Sequence, residues 1–252
     1  MQGLGKNFGP VQALTDIDLD IPAGLVTAIV GDNGAGKSTL IKTISGIWQP
    51  DGGQIFWMGK PVHLHSPHDA AELGIATVYQ DLALCDNLDI VQNMFLGREK
   101  VQHWSLDEVG MELTAKQTLS DLSVISVRSI RQPVGSLSGG QRQAVAVARA
   151  VMQEAKLVIM DEPTAALGVT QTRTVLDLIG RLASRKIAVV VISHNLNDIM
   201  SVADRVAVLY LGRLAAVGPV SRFDTQVIVD LMTTGTTTRP EADATTGRPS
   251  EH

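Results

Sequence analysis

Short apolar runs alternate with amphipathic segments along most of the chain. Residues 25–30 form an apolar, β-branched run that stops at Gly31, and residues 38–46 carry apolar side chains at helical spacing. This pattern predicts a strand, a glycine loop and a helix. The same alternation predicts further strands at 75–79, 157–160, 187–192 and 205–210, and helices at 142–152, 174–183 and 196–203. Strands joined by helices of this length predict a largely parallel sheet that is covered on both faces.

The middle of the chain has a different pattern. Between residues 81 and 133 the apolar residues follow helical spacing at 90–96 and 106–122, and no run is typical of a buried strand. We therefore expect a helical lobe at 81–133, inserted into an α/β unit that spans 1–232. Residues 233–252 contain seven threonines, two prolines and two glycines, and this composition predicts a disordered tail.

Composition, net charge and the lengths of the apolar runs exclude several classes of protein. The chain has 252 residues, of which 44% are hydrophobic and 19% charged, so it has enough apolar material for a sizeable core. The net charge of −5 argues against a general nucleic-acid coat, which needs a basic surface. Cys85 is the single cysteine, the longest apolar runs are shorter than the ~18 residues of a membrane span, and residues 1–10 lack a secretory pattern. These features predict a cytosolic chain.

The segment between the first predicted strand and helix carries the clearest chemistry. It contains the phosphate-loop pattern G-x-x-x-x-G-K-[ST] and the residue after it: Gly31, Asp32, Asn33, Gly34, Ala35, Gly36, Lys37, Ser38 and Thr39. Glycines let backbone N–H groups turn inward around a polyphosphate, and the N-terminus of the following helix attracts the same anion. Lys37 is expected to bridge the β- and γ-phosphates of a nucleotide, and Ser38 to hold Mg²⁺. The alternative is a glycine-rich turn with a solvated lysine.

Two further segments are weaker signals on their own. Asp161 and Glu162 follow the apolar run at 157–160, which suits a metal-holding aspartate beside a water-activating glutamate, although acidic residues commonly end strands. A second anion site, or merely a helix cap, is indicated just before 142–152 at Leu137, Ser138, Gly139, Gly140 and Gln141. Two phosphate sites on one chain need a common explanation.

The segment at 137–141 resembles the signature motif of ATP-binding cassette (ABC) ATPases. The family's Q-loop glutamine, Walker B aspartate, catalytic glutamate, switch histidine and adenine-stacking aromatic residue are matched by Gln80, Asp161, Glu162, His194 and Phe8. Taken alone, His194, Gln80 or Phe8 would be read as an ordinary structural residue. The resemblance implies an α/β fold, namely a P-loop NTPase core with a mainly parallel sheet, an antiparallel β part and the inserted α-helical subdomain.

The same resemblance implies ATP and Mg²⁺ as ligands and an ATPase activity. It makes Glu162, His194 and Gln80 the catalytic residues, and it has Mg²⁺ held by Ser38, Gln80 and Asp161. In this family ATP lies between the phosphate loop of one subunit and the signature motif of another. A chain with one copy of each is therefore expected to act as a head-to-tail homodimer.

Two positions depart from the family pattern. Gly168 stands where many members place the D-loop aspartate, which puts communication across a dimer in doubt. Only seven residues precede Phe8, where the family usually has an additional strand, so we expect either that the true start lies further upstream or that the edge strand is missing.

Three segments, 93–99, 134–143 and 162–169, are similar to ATPases of simple-sugar importers of the ribose, xylose and fructose type. This resemblance implies membrane permease subunits, an extracytoplasmic sugar-binding protein as an indirect partner, no nucleic acid, and a peripheral position at the cytoplasmic face of the plasma membrane. Phe95 and Leu96 are candidates for contact with the permease. The alternatives are a non-transport ABC ATPase that acts on DNA or ribosomes, and a regulatory module that holds ATP without turnover.

Overall fold

A parallel sheet forms the centre of the molecule. The computed structural model describes residues 1–102, 104–122 and 129–236. Within them, six strands pair in the order β12-β11-β3-β10-β9-β6, with β12 alone antiparallel. These strands are β3 (Val26–Gly31), β6 (Ile75–Val78), β9 (Leu157–Asp161), β10 (Ala188–Ile192), β11 (Arg205–Tyr210) and β12 (Arg213–Pro219). The five parallel strands are the five that the apolar runs predict.

Alternate residues of the parallel strands face two different cores. Val158 and Met160 of β9 lie in the core on one face, whereas Leu157 and Ile159 lie in the core on the other. Because successive side chains of a strand point to opposite faces, a strand that is apolar at every position must be covered on both sides. The prediction of a sheet covered on both faces is therefore confirmed.

A smaller antiparallel sheet packs against the parallel sheet and contributes side chains to the core that contains Leu157 and Ile159. Its strands are β1 (Gln2–Phe8), β2 (Val11–Ile17), β4 (Gly52–Trp57) and β5 (Lys60–Val62), in the order β2-β1-β4-β5. The expectation that an edge strand is missing is wrong, because residues 2–8 themselves form a strand that pairs with both β2 and β4. The expected antiparallel part of the fold is present.

Helices connect the strands and cover both faces. They are α1 (Lys37–Ile44), α2 (Pro67–Glu72), α3 (Ile90–Phe95), α4 (Glu108–Asp121), α5 (Gly139–Met152), α6 (Val169–Ser184), α7 (Leu196–Val202) and α8 (Thr225–Thr234). Two of them, α5 and α6, begin three or more residues before their predicted start. Helix α5 begins three residues earlier because the Ser138 and Gln141 side chains cap each other's backbone N–H groups. The first turn of α6 has no buried side chain, and its one apolar residue, Val169, is 90% exposed, so apolar periodicity does not reveal it.

The predicted lobe at 81–133 contains α3, α4 and a short hairpin of β7 (Val101–Gln102) and β8 (Ser105–Leu106). Both helices share a core with α5. Arg131 joins the lobe's segments, because its guanidinium lies 3.2–3.5 Å from carboxylates on Asp89, Glu108 and Glu112. The lobe is thus held both by apolar packing and by charge.

The final helix extends beyond the predicted end of the folded unit. Helix α8 includes Thr233 and Thr234 and ends at Gly235, whose φ of 73° is the left-handed conformation typical of a helix C-terminus. The expected tail at 233–252 is therefore wrong for these first residues. The rest of that prediction, at 237–252, lies outside the described residues.

Candidate functional site

Four predicted site segments follow strands of the parallel sheet. The phosphate loop follows β3, Gln80 follows β6, Asp161 and Glu162 end or follow β9, and His194 follows β10. Parallel strands place their carboxyl ends at one edge of a sheet, and the register aligns Ile192 of β10 with both Ile29 and Asp161. This edge is the candidate site.

The phosphate loop depends on two glycines with left-handed backbone. Gly34 has φ 80° and Gly36 has φ 106°. A Cβ on Gly36 would lie 2.8 Å from the carbonyl oxygen of Ala13, whereas one on Gly34 would meet nothing within 4 Å. The loop is thus pressed against the small sheet at Gly36 and open at Gly34.

Lys37 begins helix α1 and lies across its own loop. Its Nζ donates to the carbonyl oxygens of Gly31 at 2.7 Å and Asp32 at 2.9 Å. The ammonium and the first N–H groups of α1 therefore occur together at the loop. This combination favours a phosphate group.

Two adjacent carboxylates lie at the end of β9. Burial, and then the negative charge of Glu162, raise the pKa of Asp161, while Lys37 and Lys42 act in the opposite direction. Among the described residues no group of three or more His, Cys, Asp or Glu side chains forms a metal site. A cation here would therefore need further oxygen ligands, and the two residues expected to supply them, Ser38 and Gln80, carry a hydroxyl and an amide oxygen of the kind that Mg²⁺ prefers.

Glu162 is held in an unusual backbone conformation beside His194. Its φ is 50°, which is rare for a residue other than glycine and is often found at functional sites. Its N–H donates to Ile192 O at 2.9 Å, so the end of β10 fixes this turn. The Nδ1 atom of His194 lies 2.9 Å from Glu162 Oε2, and the histidine side chain is 75% exposed while the glutamate is 17% exposed. The structure thus brings together the predicted base and the predicted switch histidine.

The signature residues lie on a different element. Ser138 caps α5, and among the described residues no hydrogen bond joins it to residues 31–39. A Cβ on Gly140 would lie 3.2 Å from Gln171 Cβ, and one on Gly139 would lie 2.6 Å from a methyl group of Leu167. The glycines therefore pack against the turn after Glu162 and the start of α6.

Phe8 lies at the end of β1 and forms an aromatic pair that the sequence does not reveal. Its ring is 40% exposed and meets Trp48 edge-to-face, with ring centroids 4.7 Å apart. Lys42 of α1 lies 4.7 Å from the Trp48 ring centroid. The partly exposed Phe8 ring therefore belongs to a cluster that is linked to the phosphate-loop helix, and Phe8 is not plain core packing.

Comparison with known proteins gives this site a family. Residues 14–165 match the ABC transporter family, which is more than half of the chain. The chain belongs to the ABC transporter family. It is 49% identical to the fructose import ATP-binding protein FrcA of Rhizobium meliloti, over 86% of this chain and 87% of that protein. It is 46% identical to the xylose/arabinose import ATP-binding protein XylG of Sulfolobus acidocaldarius, over 90% of both.

A third relative is longer than this ABC transporter chain. Identity to the ribose import ATP-binding protein RbsA 1 of Rubrobacter xylanophilus is 40%, over 88% of this chain and 44% of that protein. This chain therefore corresponds in length to FrcA and XylG and to somewhat less than half of RbsA 1.

Solved structures show the same ABC fold. An ATP-binding cassette of an ABC transporter in its ADP conformation superimposes with a TM-score of 0.78 at 25% identity, over 96% of this chain and 94% of that one. A dimeric cassette in a post-hydrolysis state, bound to ADP and Pi, has a TM-score of 0.72 over 88% of this chain and 98% of that one. Its identity of 23% makes it evidence for the fold alone.

A groove of about 300 Å³ separates the lobe of this ABC chain from the sheet. Its lining includes Ala71, Thr77, Leu96, Ala146, Arg149 and Gln153. The structure separates the two candidate contact residues, because Phe95 is 3% exposed in the lobe core whereas Leu96 is 47% exposed and lines the groove. In the described part of the chain, no helix is both long enough and apolar enough to cross a membrane.

Sequence patterns give no signal for one contact that links two site segments. Thr164 follows Glu162 by two residues, and its hydroxyl donates to Asp198 Oδ2 on α7 at 2.6 Å. Helix α7 begins just after His194 and is capped by Asn195. The turn after Glu162 is therefore tied to the helix after His194 by a side-chain contact that only the folded chain shows.

Proposed function

We propose that this chain is the ATP-hydrolysing subunit of an importer of a simple sugar. The observation that carries the proposal is the meeting of Lys37, Asp161, Glu162 and His194 at one sheet edge. The import ATP-binding proteins FrcA and XylG, which match nearly the whole chain, support the direction of transport and the class of substrate. We propose an ATP-binding domain that extends from residue 1 to the end of α8, past the expected boundary at 232, with 81–133 as its helical subdomain.

The phosphate loop binds the nucleotide through its backbone and through Lys37. Phe8, with its exposed ring, stacks on the adenine. Ser38, Gln80 and Asp161 would hold Mg²⁺, which supplies positive charge beside the β- and γ-phosphates. The raised pKa of Asp161 is consistent with this role, because a cation relieves the repulsion between Asp161 and Glu162. Bound Mg²⁺ would thus offset the negative charge of Asp161 and Glu162, and the phosphates of ATP would offset the positive charge of Lys37.

Hydrolysis breaks the bond between the γ-phosphorus and the oxygen that ADP retains. Glu162 orients the attacking water and accepts its proton, and the products are ADP and inorganic phosphate. Lys37 places positive charge beside the γ-phosphate, and His194 supplies a hydrogen-bond donor to it. His194 contacts Glu162 in this conformation, so the γ-phosphate competes with Glu162 for the same imidazole.

Ser138, Gly139, Gly140 and Gln141 contact the ATP that is held by a second copy of the chain. Two observations support this arrangement: these residues lie on a different element from the phosphate loop, and in the described part of the chain Ser138 makes no hydrogen bond to residues 31–39. One chain can then offer each half of a site to its partner. A homodimer in which each subunit contributes both halves contains two complete sites. Dimer closure on ATP and opening after hydrolysis provide the mechanical cycle.

The closing and opening of the dimer is transmitted to membrane permease subunits that bind in the groove beside Leu96. The groove lies between the lobe and β6, and Gln80 follows β6, so a segment seated there lies next to a nucleotide-sensing loop. In this proposal the chain is a peripheral subunit at the cytoplasmic face of the plasma membrane, and a sugar-binding protein is an indirect partner on the other side. The net charge of −5 and the import relatives disfavour the alternative of an ATPase that acts on DNA or ribosomes.

The experiment is purification of the native complex from membranes, with identification of its proteins and measurement of sugar uptake. We expect a multispanning permease to copurify, and Leu96→Asp to reduce both its recovery and sugar uptake. Leu113→Asp is the matched control, because Leu113 is also exposed in the lobe but does not line the groove. Recovery of no membrane protein, or equal effects of the two variants, would refute the assignment.

A further inference from the structure

Arg149 lies between two site segments without being part of either. It is on α5, and its Nη1 and Nη2 atoms donate to the carbonyl oxygens of Ala83 at 3.1 Å and Leu82 at 3.2 Å. These carbonyls come two and three residues after Gln80. One guanidinium thus holds two successive peptide groups of the segment that carries Gln80.

The environment of Arg149 is unusual for a cation. Burial lowers the pKa of its guanidinium, and among the described residues no carboxylate forms an ion pair with it. A partly buried guanidinium that is satisfied by neutral carbonyls alone is costly in stability, because a nearby carboxylate would compensate its desolvation far better. The planar fork nevertheless suits two adjacent carbonyl oxygens.

The backbone that Arg149 holds is strained. Ala83 has φ 49°, in the left-handed region that residues with a Cβ rarely adopt. The local chain stabilises this conformation only weakly, because the N–H of Ala83 donates a long hydrogen bond of 3.3 Å to Asp81 Oδ1. Such conformations persist where surrounding contacts impose them, and the guanidinium of Arg149 supplies such a contact.

Helix α5 connects this contact to the signature residues. Ser138 caps the helix and Arg149 lies eleven residues further along, so about 16 Å of continuous helix separates them. The side chains between them that face the core are small and buried, including Ala144, Val145 and Ala148. A helix packed in this way moves as a rigid body, so a displacement at Arg149 is transmitted to Ser138.

We propose that Arg149 is a positioning residue that couples the Gln80 segment to the signature end of α5. When Gln80 moves toward the nucleotide, the two carbonyls pull Arg149, and α5 presents Ser138 to the partner's ATP. Loss of Arg149 leaves both half-sites intact and uncouples them. The inference rests on the proposed ATP hydrolysis at a dimer interface, and it adds the link between the two halves within one chain.

The test compares Arg149→Met and Arg149→Lys with wild type in the full chain. Steady-state ATP hydrolysis gives kcat and KM, and hydrogen exchange follows 80–84 and 138–142 with and without a non-hydrolysable ATP analogue and Mg²⁺. We expect Arg149→Met to lower kcat about tenfold while KM changes less than about twofold, because nucleotide contacts remain and alignment is lost. Arg149→Lys keeps one donor group without the planar fork, so we expect it to recover part of kcat.

Arg205→Met is the matched control for loss of an arginine with two hydrogen bonds. Arg205 donates to both carboxylate oxygens of Asp20 at 3.0 and 3.1 Å, and neither residue belongs to the proposed site. We expect this variant to change the melting temperature and leave kcat unchanged. If Arg149→Met behaves like Arg205→Met, the role of Arg149 is structural and the proposal is wrong.

Hydrogen exchange separates this proposal from the proposed function. In wild type we expect the analogue to slow exchange at 80–84 and 138–142 together, and in Arg149→Met at 80–84 alone. Joint protection that survives in both Arg149 variants would overturn the coupling, whatever their activity. Absence of ATP hydrolysis by wild type would instead overturn the proposed function, and the exchange result would still decide the role of Arg149.

Discussion

At the scale of single residues, the side chain of Glu162 interacts with two other residues of the proposed site, His194 and Asp161. It contacts His194 at 2.9 Å, and its charge is the second cause, after burial, of the raised pKa of Asp161. A left-handed backbone and the hydrogen bond to Ile192 O hold it in place. This fixed carboxylate, close to but distinct from Asp161, which we propose as a metal ligand, is the arrangement that water activation requires.

Glu162→Gln should leave ATP binding intact and lower turnover by more than about a hundredfold, because the amide keeps the shape and loses the basic oxygen. ATP that is bound and not hydrolysed should then favour a stable dimer. Nucleotide affinity, steady-state hydrolysis and particle mass, measured on one preparation, check this. Glu72→Gln, at an exposed position on α2, is the control and should change none of them. Near-normal hydrolysis by Glu162→Gln would remove the assigned role.

Asp161→Asn should stabilise the nucleotide-free protein at neutral pH while weakening binding of Mg²⁺-ATP by more than about tenfold. The folded chain releases the Asp161 proton at a higher pH than the unfolded chain, because burial and Glu162 raise its pKa above 3.8. The stability linked to this proton is therefore complete below the unfolded value and is lost as pH rises through the folded value.

The measurement is the melting temperature of both proteins between pH 4 and pH 8. We expect the variant to melt at a higher temperature than wild type at pH 7, because it lacks the carboxylate whose charged form is disfavoured by burial and by Glu162. The difference should shrink toward pH 4. A difference that does not depend on pH would show that the charge of Asp161 is not the cause.

At the scale of elements, the start of the lobe is organised around one buried amide. Asn93 of α3 is 0% exposed, and its side chain accepts from Cys85 N at 2.7 Å and donates to the carbonyl oxygens of Cys85, Leu88 and Asp89. In the loop at 85–89, these side-chain hydrogen bonds take the place of the backbone hydrogen bonds that a strand or helix would form. The loop that follows the Gln80 segment is therefore rigid because of a side chain.

Asn93→Leu should lower the free energy of unfolding by about 2–4 kcal/mol, because a similar volume is kept while several buried backbone groups lose their partner. Gln92→Ala is the matched control at the neighbouring position. Gln92 is exposed and makes only the reciprocal capping interaction with Asp89, so its loss should cost about 0.5–1 kcal/mol. Denaturant unfolding measures both. Equal effects would contradict the role given to burial.

The sequence predicts elements well where burial is uniform along them. The runs at 157–160 and 187–192 are apolar at every position because both faces of the sheet are covered, so each strand is found within about one residue of its expected place. Strands β4 and β5 are half-exposed and mixed in polarity, and their positions do not follow from periodicity. The start of α6 is hidden because Gly168 caps it without a side chain.

The candidate site likewise contains residues that local sequence patterns predict and residues that only the folded chain reveals. The phosphate loop, Asp161 and Glu162 are local patterns, and the strand order brings them together as parallel topology requires. Trp48, Thr164 and Arg149 escape sequence analysis because each acts through a contact with residues distant in the chain or through the backbone of another segment. Such contacts depend on tertiary packing, which a single sequence does not encode as a pattern.

At the scale of the whole molecule, Gly168 is of interest because the family resemblance implies a D-loop aspartate at this position in many members. It caps α6 with φ −72° and ψ 162°, an ordinary extended conformation, and a Cβ there would meet nothing within 4 Å. The structure therefore accepts an aspartate at this position, and an aspartate at a helix N-cap gains a few tenths of a kcal/mol.

Gly168→Asp should leave nucleotide affinity unchanged and raise the cooperativity of hydrolysis with respect to ATP, because it restores a charged group where family members communicate across the dimer. The Hill coefficient and the equilibrium affinity for ATP check this. Gly168→Ala controls for the added Cβ and should leave the Hill coefficient as it is. An unchanged coefficient in Gly168→Asp would show that the two sites are not coupled through this position.

The central claim is that one ATP site is built from two chains, with Lys37 from one and Ser138 from the other. The most direct measurement is ATP hydrolysis by an equal mixture of Lys37→Ala and Ser138→Arg chains. Each variant alone has no complete site, whereas a mixed dimer has one, so the account predicts recovery of about a quarter of wild-type activity when half of the dimers are mixed. Activity of the mixture that does not exceed the average of the two variants measured separately would contradict a shared site.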